Sequence, residues 1–366
     1  MAYSPIDLRS LAARAGTWLR SDGPDTDVVV SCRVRLARNL EGRPFLARLA
    51  GEQALELCEE LRMSLLDARI DGETWWVPMA DAGSVLRLLL RERNLISRDL
   101  CPGEAGGPAP PGRAVAFGET ETVSVMVNEE DHLRLQALAS GFDLDLAWKR
   151  AQVLDRYLET RVSYAFTERL GYLTGCPTNV GTGLRASVML HLPALGMVRP
   201  ELEKVFHAAQ RTGLAVRGMH GEGSRAAGNL YQISNQVTLG RSETQLIDDL
   251  RALVPEIVAF ERRVRDAMLQ EQRAALTERV ARSRTTLRTA RAMPTEDALA
   301  HLSNLRLGLH MGLFDGTDLG VLNELGIQVQ KGHVHALSAG PPESALLDVS
   351  ERDKQRAGLL RSRLAV

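Results

Sequence analysis

The chain changes character near Gly240, and this change limits the folds that are open to it. Before that point, short apolar runs alternate with turns rich in glycine and proline, and helical spacing of apolar residues appears only in places. After it, residues 242–290 keep helical spacing throughout. The sequence therefore predicts a mixed α/β domain at 1–240 followed by a mostly helical domain at 241–366.

Apolar spacing also predicts the elements within each domain. In the first domain, helices are expected at about 51–70, 81–93, 145–170 and 198–212. Strands are expected at "VVVSCRVRLARNL", "RAVAF", "ETVSVMVN", "LRASVMLHL" and on both sides of the loop "RGMHGEGS". The segment "CPGEAGGPAPPG" can hold neither a helix nor a central strand, so we expect a flexible loop there.

The second domain is expected to pack through one helical stripe. That stripe consists of Leu253, Ile257, Phe260, Val264 and Met268. Another helix is predicted at 296–310, and a last one begins near Ser350, where "SERD" resembles a capping box.

Composition argues against several classes of function. The chain has 366 residues, is 44% hydrophobic and 25% charged, and carries a formal net charge of −1, so no global charge signal indicates nucleic acid or membrane. No signal-peptide pattern and no apolar run of 18 residues is present. Four scattered cysteines without a CxxC spacing fit a reducing compartment. We expect a cytoplasmic protein without membrane or nucleic-acid partners.

One segment keeps a nucleic-acid alternative open. Residues 261–291 hold nine arginines and four acids, a surplus of five charges that could track phosphates. Acids interleaved at helical spacing favour a packed helix instead.

Arginines recur at the ends of predicted strands and beside glycine-rich turns. Arg33 and Arg35 are two positions apart on one strand, so they point to the same side. Arg134, Arg185 and Arg217 occupy comparable places. Convergent guanidinium groups would form a polyphosphate site, because each offers a planar fork of donors. The sequence has neither a Walker A motif nor the protein-kinase motif set, so a nucleotide would be bound by arginines.

Three consecutive acids, Glu129, Glu130 and Asp131, follow the strand "ETVSVMV". Adjacent carboxylates repel one another, and such a run is usually a solvated turn. Placed beside the five arginines, the run becomes the acidic half of a site. We expect Glu130 to face the cleft, and Glu129 or Asp131 to pair with a basic group.

The segments "SCRVRLARNL", "NEEDHLRLQ" and "CPTNVGTGLRASV" resemble, in order and spacing, the signature segments of the phosphagen (guanidino) kinase family. The closer similarity, which spans nearly the whole chain, is to the bacterial branch acting on arginine side chains of proteins. The resemblance implies an α+β fold, in which an antiparallel β-sheet flanked by helices precedes a helical dimerisation and regulatory domain. Some 30 residues before Arg33, fewer than in small-molecule guanidino kinases, also favour this branch.

The resemblance also implies roles for individual residues. Glu130 and Glu222 would hold and deprotonate the acceptor, and Cys176 would be the reactive thiol. Asn179 would support the site together with Glu129 and Asp131. The ATP site would consist of Ser31, Arg33, Arg35, Arg134, Arg185, Ala186, Ser187, Val188, Met189 and Arg217. Mg²⁺ would be held mainly by the nucleotide phosphates, with no metal site of its own. Near the C-terminus, Arg352, Asp353 and Arg356 would bind phosphoarginine and couple it to activity.

The implied partners are proteins that carry arginine, a zinc-binding activator protein and a Clp-type ATPase or protease, with the chain itself a homodimer. Two alternatives stay open at this level. One is a kinase of a small guanidino compound, and the other is a non-catalytic binding module.

Overall fold

The computed structural model describes residues 6–102, 107, 109–218, 227–338 and 346–364. The strands in this part of the chain are β1 (Val29–Arg38), β2 (Thr74–Pro78), β3 (Ala114–Gly118), β4 (Val123–Val127), β5 (Leu133–Ser140), β6 (Phe166–Thr167), β7 (Gly171–Tyr172), β8 (Leu184–His191), β9 (Leu214–Gly218) and β10 (Leu230–Asn235). The helices are α1 (Leu8–Ala13), α2 (Gly51–Asp67), α3 (Ser84–Glu92), α4 (Leu144–Glu159), α5 (Pro193–Met197), α6 (Arg199–Arg211), α7 (Glu243–Thr289), α8 (Thr295–His310), α9 (Leu319–Gln328), α10 (Lys331–Leu337) and α11 (Val349–Arg363).

One antiparallel sheet organises the molecule. Its strand order is β2-β3-β4-β5-β1-β8-β10-β9, so β1, which forms the two longest pairings with β5 and β8, lies near the middle. Side chains alternate across each strand. On β1, Cys32, Val34 and Leu36 are buried against helices α4 and α7, whereas Arg33 and Arg35 lie on the opposite, polar face. The expected α+β fold, an antiparallel sheet followed by a helical region, is confirmed.

The buried face of the long helix α7 overlaps the predicted stripe, because Ile257 is buried and Leu253, Phe260 and Val264 are half-buried against the core. Of the five predicted residues only Ile257 is fully buried, and the core side of the helix also carries Glu261 and Arg265. Glu261 accepts the amide protons of Ala194 and Leu195 at the start of α5, at 3.0 and 2.9 Å, and Arg265 donates to Glu261 at 2.8 Å. Apolar periodicity could not place this ion pair, because it assigns charged residues to the solvent side of a helix.

One predicted helix end and one predicted capping residue are corrected. The helix expected at 145–170 ends at Glu159, because Arg161 and Val162 both donate to the carbonyl of Leu158 and close the last turn. A small β6–β7 hairpin follows. The last helix begins at Val349, since the carboxylate of Asp348 accepts the amide proton of Glu351 at 2.9 Å and serves as its N-cap.

The helices after α7 pack onto the sheet domain rather than standing apart from it. Glu92, the last residue of α3, accepts from the amide of Gly332 at 2.7 Å and from Nδ1 of His333 at 2.7 Å, both on α10. Asn323 on α9 donates to the carbonyl of Leu19 at 3.1 Å. Among the described residues, no helix is both long and apolar enough to cross a membrane.

Burial of histidines predicts a loss of stability in acid. Burial lowers the pKa of five histidines, which are His132, His191, His301, His310 and His333. A histidine whose folded pKa is depressed binds more protons in the unfolded chain, so its contribution is complete above pH 6.5 and declines as the pH falls. We therefore expect the free energy of unfolding from urea titrations to fall as the pH decreases below about 6.5.

His310 gives the sharpest form of this test. Burial, together with the charges of Arg306 and Arg265, lowers its pKa to about 4. The free energy of unfolding of His310→Gln should therefore depend less steeply on pH than that of the wild type between pH 6.5 and 4. The difference corresponds to the uptake of up to one proton on unfolding. The exposed His207→Gln is the matched control. Equal slopes in the two variants would contradict the expectation. Burial raises the pKa of Glu261, so this residue changes the stability in the opposite direction as the pH falls. Its effect is the same in both variants and cancels when they are compared.

Candidate active site

A cleft of about 400 Å³ lies on the polar face of the sheet, above β1, β8 and β9. It brings together the five arginines that the sequence singled out with two of the three consecutive acids and the CPTNVGTG loop. The lining includes Arg33, Arg35, Asp99, Glu130, Asp131, Arg134, Cys176, Thr178, Asn179, Arg185, Arg217 and Gln232.

Strand register explains how distant arginines meet. Arg35 lies opposite Arg185 in the β1–β8 pairing, and Ala37 lies opposite Arg134 in the β1–β5 pairing. Arg217 lies opposite Gln232, whose side-chain oxygen accepts from Arg33 at 3.0 Å. The antiparallel pairings β5–β1, β1–β8, β8–β10 and β10–β9 therefore bring guanidinium groups from nearly 190 residues of chain onto one surface.

The arginines are crowded in a way that favours an anion. Burial and the charges of Arg134 and Arg185 lower the pKa of Arg33 to about 10. Burial and the same neighbours, with Arg33, bring the pKa of Arg35 well below its usual range. Because arginine keeps its proton in proteins, these shifts measure unfavourable crowding rather than a neutral side chain. An anion with several negative oxygens would relieve that crowding.

The three consecutive acids point in three directions. Glu129 is buried and pairs with Arg134 at 2.5 Å, and it also accepts from the Ser97 hydroxyl. Burial opposes its ionisation, but the charge and hydrogen bond of Arg134 outweigh burial and lower the pKa of Glu129. Asp131 accepts from Asn39 at 2.6 Å and from the amide of Gly175 at 2.5 Å. The expected pairing of one flanking acid with a basic group is thus present.

Glu130 is the exposed member of the three and lines the cleft. Partial burial and the charges of Asp131 and Glu129 raise its pKa, against the charge of Arg134 and a hydrogen bond from Cys176. A carboxylate with a raised pKa is a stronger base. The side chain of Glu130 is exposed in the cleft, whereas the carboxylates of its two neighbours are held by Arg134, Ser97, Asn39 and Gly175.

The CPTNVGTG loop is held in place from both sides. Asp131 binds the amide of Gly175 on one side, and Thr238 donates to the carbonyls of Thr178 and Val180 at 2.9 and 2.7 Å on the other. Gly183 has a φ of +62°, and a Cβ there would lie 2.6 Å from the carbonyl oxygen of Ala37. Cys176 Sγ lies 3.0 Å from the Thr178 hydroxyl, within the cleft.

Strand alternation divides the other predicted ATP contacts into two groups. Ser31, Ser187 and Met189 lie on the polar face and line a second, larger cavity that adjoins Arg33. The side chains of Ala186 and Val188 lie on the opposite face, buried in the core. Arg38 also lies on that face, where it pairs with Asp155 at 2.9 Å and stacks 3.6 Å from the ring centre of Tyr172. Its role is therefore structural.

Sequence reasoning missed three residues of the cleft. Asp99 follows α3 in a loop with no recognisable motif, and Thr178 lies within a motif from which only its neighbours were chosen. Gln232 lies on the polar face of β10, and strand alternation from Arg217 through the antiparallel pairing would have found it. The predicted second carboxylate, Glu222, falls outside the described residues.

The C-terminal triad is only partly accessible. Arg356 is completely buried and donates to the carbonyls of Val329 and Met293, both at 2.6 Å, and to Asp353 at 2.5 Å. Arg352, one helical turn earlier, is half-buried and donates to the carbonyl of Leu347 at 3.2 Å. Arg352 and Asp353 are partly exposed, whereas Arg356 is buried and anchors α11.

Comparison with known proteins agrees with this fold and cleft. Residues 58–264 match the ATP:guanido phosphotransferase C-terminal catalytic domain. A lombricine kinase structure superposes with a TM-score of 0.57 over 71% of this chain and 72% of its own, at 23% identity, which supports the fold alone. The duplicated taurocyamine kinase of Schistosoma mansoni gives 0.56 at 26% identity, covering 79% of this chain and 42% of that one. The chain belongs to the ATP:guanido phosphotransferases, and its fold is theirs.

The remaining matches show to which branch of the guanido phosphotransferases the chain belongs. Residues 273–366 match the protein-arginine kinase McsB C-terminal domain. The protein-arginine kinase of Halalkalibacterium halodurans is 41% identical over 97% of both chains. That of Bacillus subtilis is 41% identical over 95% of this chain and 93% of its own. The chain therefore belongs to the protein-arginine kinase family.

Proposed function

We propose that the protein transfers the γ-phosphoryl group of MgATP to the guanidino group of arginine residues in proteins. The observation that carries this proposal is the cleft in which five arginines surround Glu130 and Cys176. Full-length similarity to proteins named protein-arginine kinase supports the choice of acceptor. The alternative acceptor, a small guanidino compound, would use the same chemistry in the same cleft.

The arginines would act on the donor. Arg33, Arg35, Arg134, Arg185 and Arg217 would bind the polyphosphate and stabilise the charge that spreads over the transferred group. The described residues contain no cluster of three or more metal-ligating side chains. We propose that Mg²⁺ arrives with ATP and is bound by phosphate oxygens and water. ATP and Mg²⁺ are therefore proposed as substrate and accompanying ion.

Glu130 would act on the acceptor. A guanidinium pKa of about 13.8 and a glutamate pKa of about 4.3 differ by about 9 units, or roughly 13 kcal/mol, so complete deprotonation before attack is excluded. Proton transfer must be late or concerted with formation of the N–P bond. Glu130 would grip the guanidinium, orient one nitrogen in line and accept its proton as the bond forms. We keep Glu222 as a proposed second carboxylate and Cys176 as a proposed tuning thiol.

Phosphoarginine mapping tests the proposal. The protein is incubated with MgATP and either a denatured arginine-rich protein or free arginine, and products are analysed by mass spectrometry that preserves the acid-labile N–P bond. A peptide with every arginine replaced by lysine is the matched control. We expect phosphoarginine on the protein and none on the lysine peptide. Turnover of free arginine without labelled protein would establish the small-molecule alternative.

Regulation and location form a further part of the proposal. Arg352 and Asp353 would bind phosphoarginine on α11, with Arg356 holding the helix in position. This arrangement is supported by the contacts of Arg356 with Val329 and Met293. We also propose that the protein is a cytoplasmic homodimer. Its proposed partners are a zinc-binding activator protein and a Clp-type protease.

A further inference from the structure

A second cavity, of about 660 Å³, adjoins the phosphate cleft. Arg33 and Gln232 line both spaces, so a molecule bound in one could extend into the other. One wall is the polar face of the sheet, with Ser31, Ser187 and Met189. The volume lies in the range of about 300–1,000 Å³ that small-molecule sites occupy.

The opposite wall comes from the C-terminal helices. Leu299, Leu302 and Arg306 of α8 line it, together with Ile327 of α9 and Lys331 of α10. These residues lie beyond the part of the chain that matches the guanido phosphotransferase catalytic domain and inside the part that matches the C-terminal domain. The cavity therefore exists only because the two regions pack together.

The lining combines apolar surface with positive charge. Trp18, Leu138 and Leu302 are among its apolar members. Its described basic members are Arg33, Arg91, Arg98, Arg306 and Lys331. Glu92 is the one described acid of the lining, and it is already bound by the backbone amides of Gly332 and His333 on α10, at 2.7 and 3.1 Å. Such a lining suits a flat, largely apolar group that is attached to a polyanion.

Arg306 adds a buried charge without an acid at ion-pair distance in the described part of the chain. It is 6% exposed and donates to Asn323 and, at 2.6 Å, to the carbonyl of Thr26, while its Nε has no hydrogen-bond partner among those residues. Burial and the charge of Arg265 lower its pKa to about 9. A negative ligand nearby would stabilise this guanidinium, because a buried charge without a counter-ion is unfavourable.

We propose that the helices after α7 form one wall of the nucleoside site, so that the adenosine part of ATP lies between them and the sheet. The inference rests on the proposed function, since it takes ATP as the ligand of the adjoining cleft. The phosphates of ATP would extend from this cavity past Arg33 to the other four arginines of the cleft. The helical region then contributes directly to ATP affinity, and nucleotide binding draws the two regions together.

Gly326 on α9 offers a direct test. It lines the cavity, and a Cβ added there would meet no atom within 4 Å. Gly326→Phe places a ring in the cavity without moving the backbone, and Gly326→Ala is the matched control. By calorimetry, Gly326→Phe should weaken ADP binding at least tenfold and leave tripolyphosphate binding unchanged. Gly326→Ala should bind both ligands as the wild type does. KM for ATP should rise, with kcat at saturating ATP retained.

A second variant keeps the test decisive if Gly326→Phe does not fold. Lys331→Glu places a negative charge in the same lining and should weaken ADP binding about fivefold or more. The exposed Lys204→Glu is its control. Wild-type ADP affinity in both cavity variants would overturn the inference. If the wild-type protein bound neither ADP nor tripolyphosphate, the proposed function itself would fail.

Discussion

Replacement of Glu130 by glutamine is expected to lower the rate of phosphoryl transfer to arginine by about 10²- to 10⁴-fold, the usual contribution of a general base. Glutamine keeps the size of the side chain but cannot accept the guanidinium proton. Because Glu130 is exposed and forms no ion pair with another described residue, the free energy of unfolding should change by less than about 0.5 kcal/mol. Single-turnover kinetics with radiolabelled ATP measure the rate, and ADP calorimetry measures nucleotide affinity.

Two control variants separate the chemistry from the electrostatics of the cleft. Glu129→Gln removes the partner of Arg134 and should change ATP affinity and stability together, because that carboxylate is buried. Glu203→Gln changes an exposed acid on α6 and should change neither. A Glu130→Gln enzyme with wild-type single-turnover rate would remove Glu130 from the mechanism and leave Glu222 as the candidate base.

Strand alternation is the part of the site that a sequence can predict most firmly. Arg33 and Arg35 share a face because they are two apart, and the structure places both in the cleft. The same rule separates Arg38, three positions from Arg35, which lies in the core against Tyr172. It likewise separates Ala186 and Val188 from Ser187 and Met189. If alternation had been applied to every candidate residue on a strand, it would have identified all of those that lie on the polar face of the sheet.

Long-range packing could not be predicted in the same way. Asp99 reaches the cleft through the position of the loop after α3, and no local pattern fixes that position. The second cavity depends on contacts between α3 and α10, such as the bond between Glu92 and His333, which are 241 residues apart. The buried pair Glu261–Arg265 shows a related limit, since hydrophobic periodicity assigns charged residues to the surface.

The ion pair between Arg93 and Glu121 should contribute strongly to stability at the place where the sheet domain meets the C-terminal helices. Both side chains are buried, with exposures of 3% and 1%, and the guanidinium donates from Nε and Nη2 to the two carboxylate oxygens at 2.8 and 2.6 Å. Its Nη1 reaches the carbonyl of Arg14 at 2.8 Å and lies 3.2 Å from Nε2 of His333 on α10. The pair thus joins α3 and the strand hairpin to the C-terminal helices.

Arg93→Met is expected to lower the free energy of unfolding by about 3–5 kcal/mol, because it leaves the carboxylate of Glu121 buried without a partner. Glu121→Leu should cost a similar amount, since it leaves Arg93 unpaired. The double variant should lose clearly less than the sum of the two, because no buried charge remains, and urea titration of all four proteins measures the coupling. Arg282→Met breaks an exposed pair with Glu278 on α7 and should cost about 0–1 kcal/mol. Equal losses for Arg93→Met and Arg282→Met would show that the buried pair contributes no more to the free energy of unfolding than an exposed pair does.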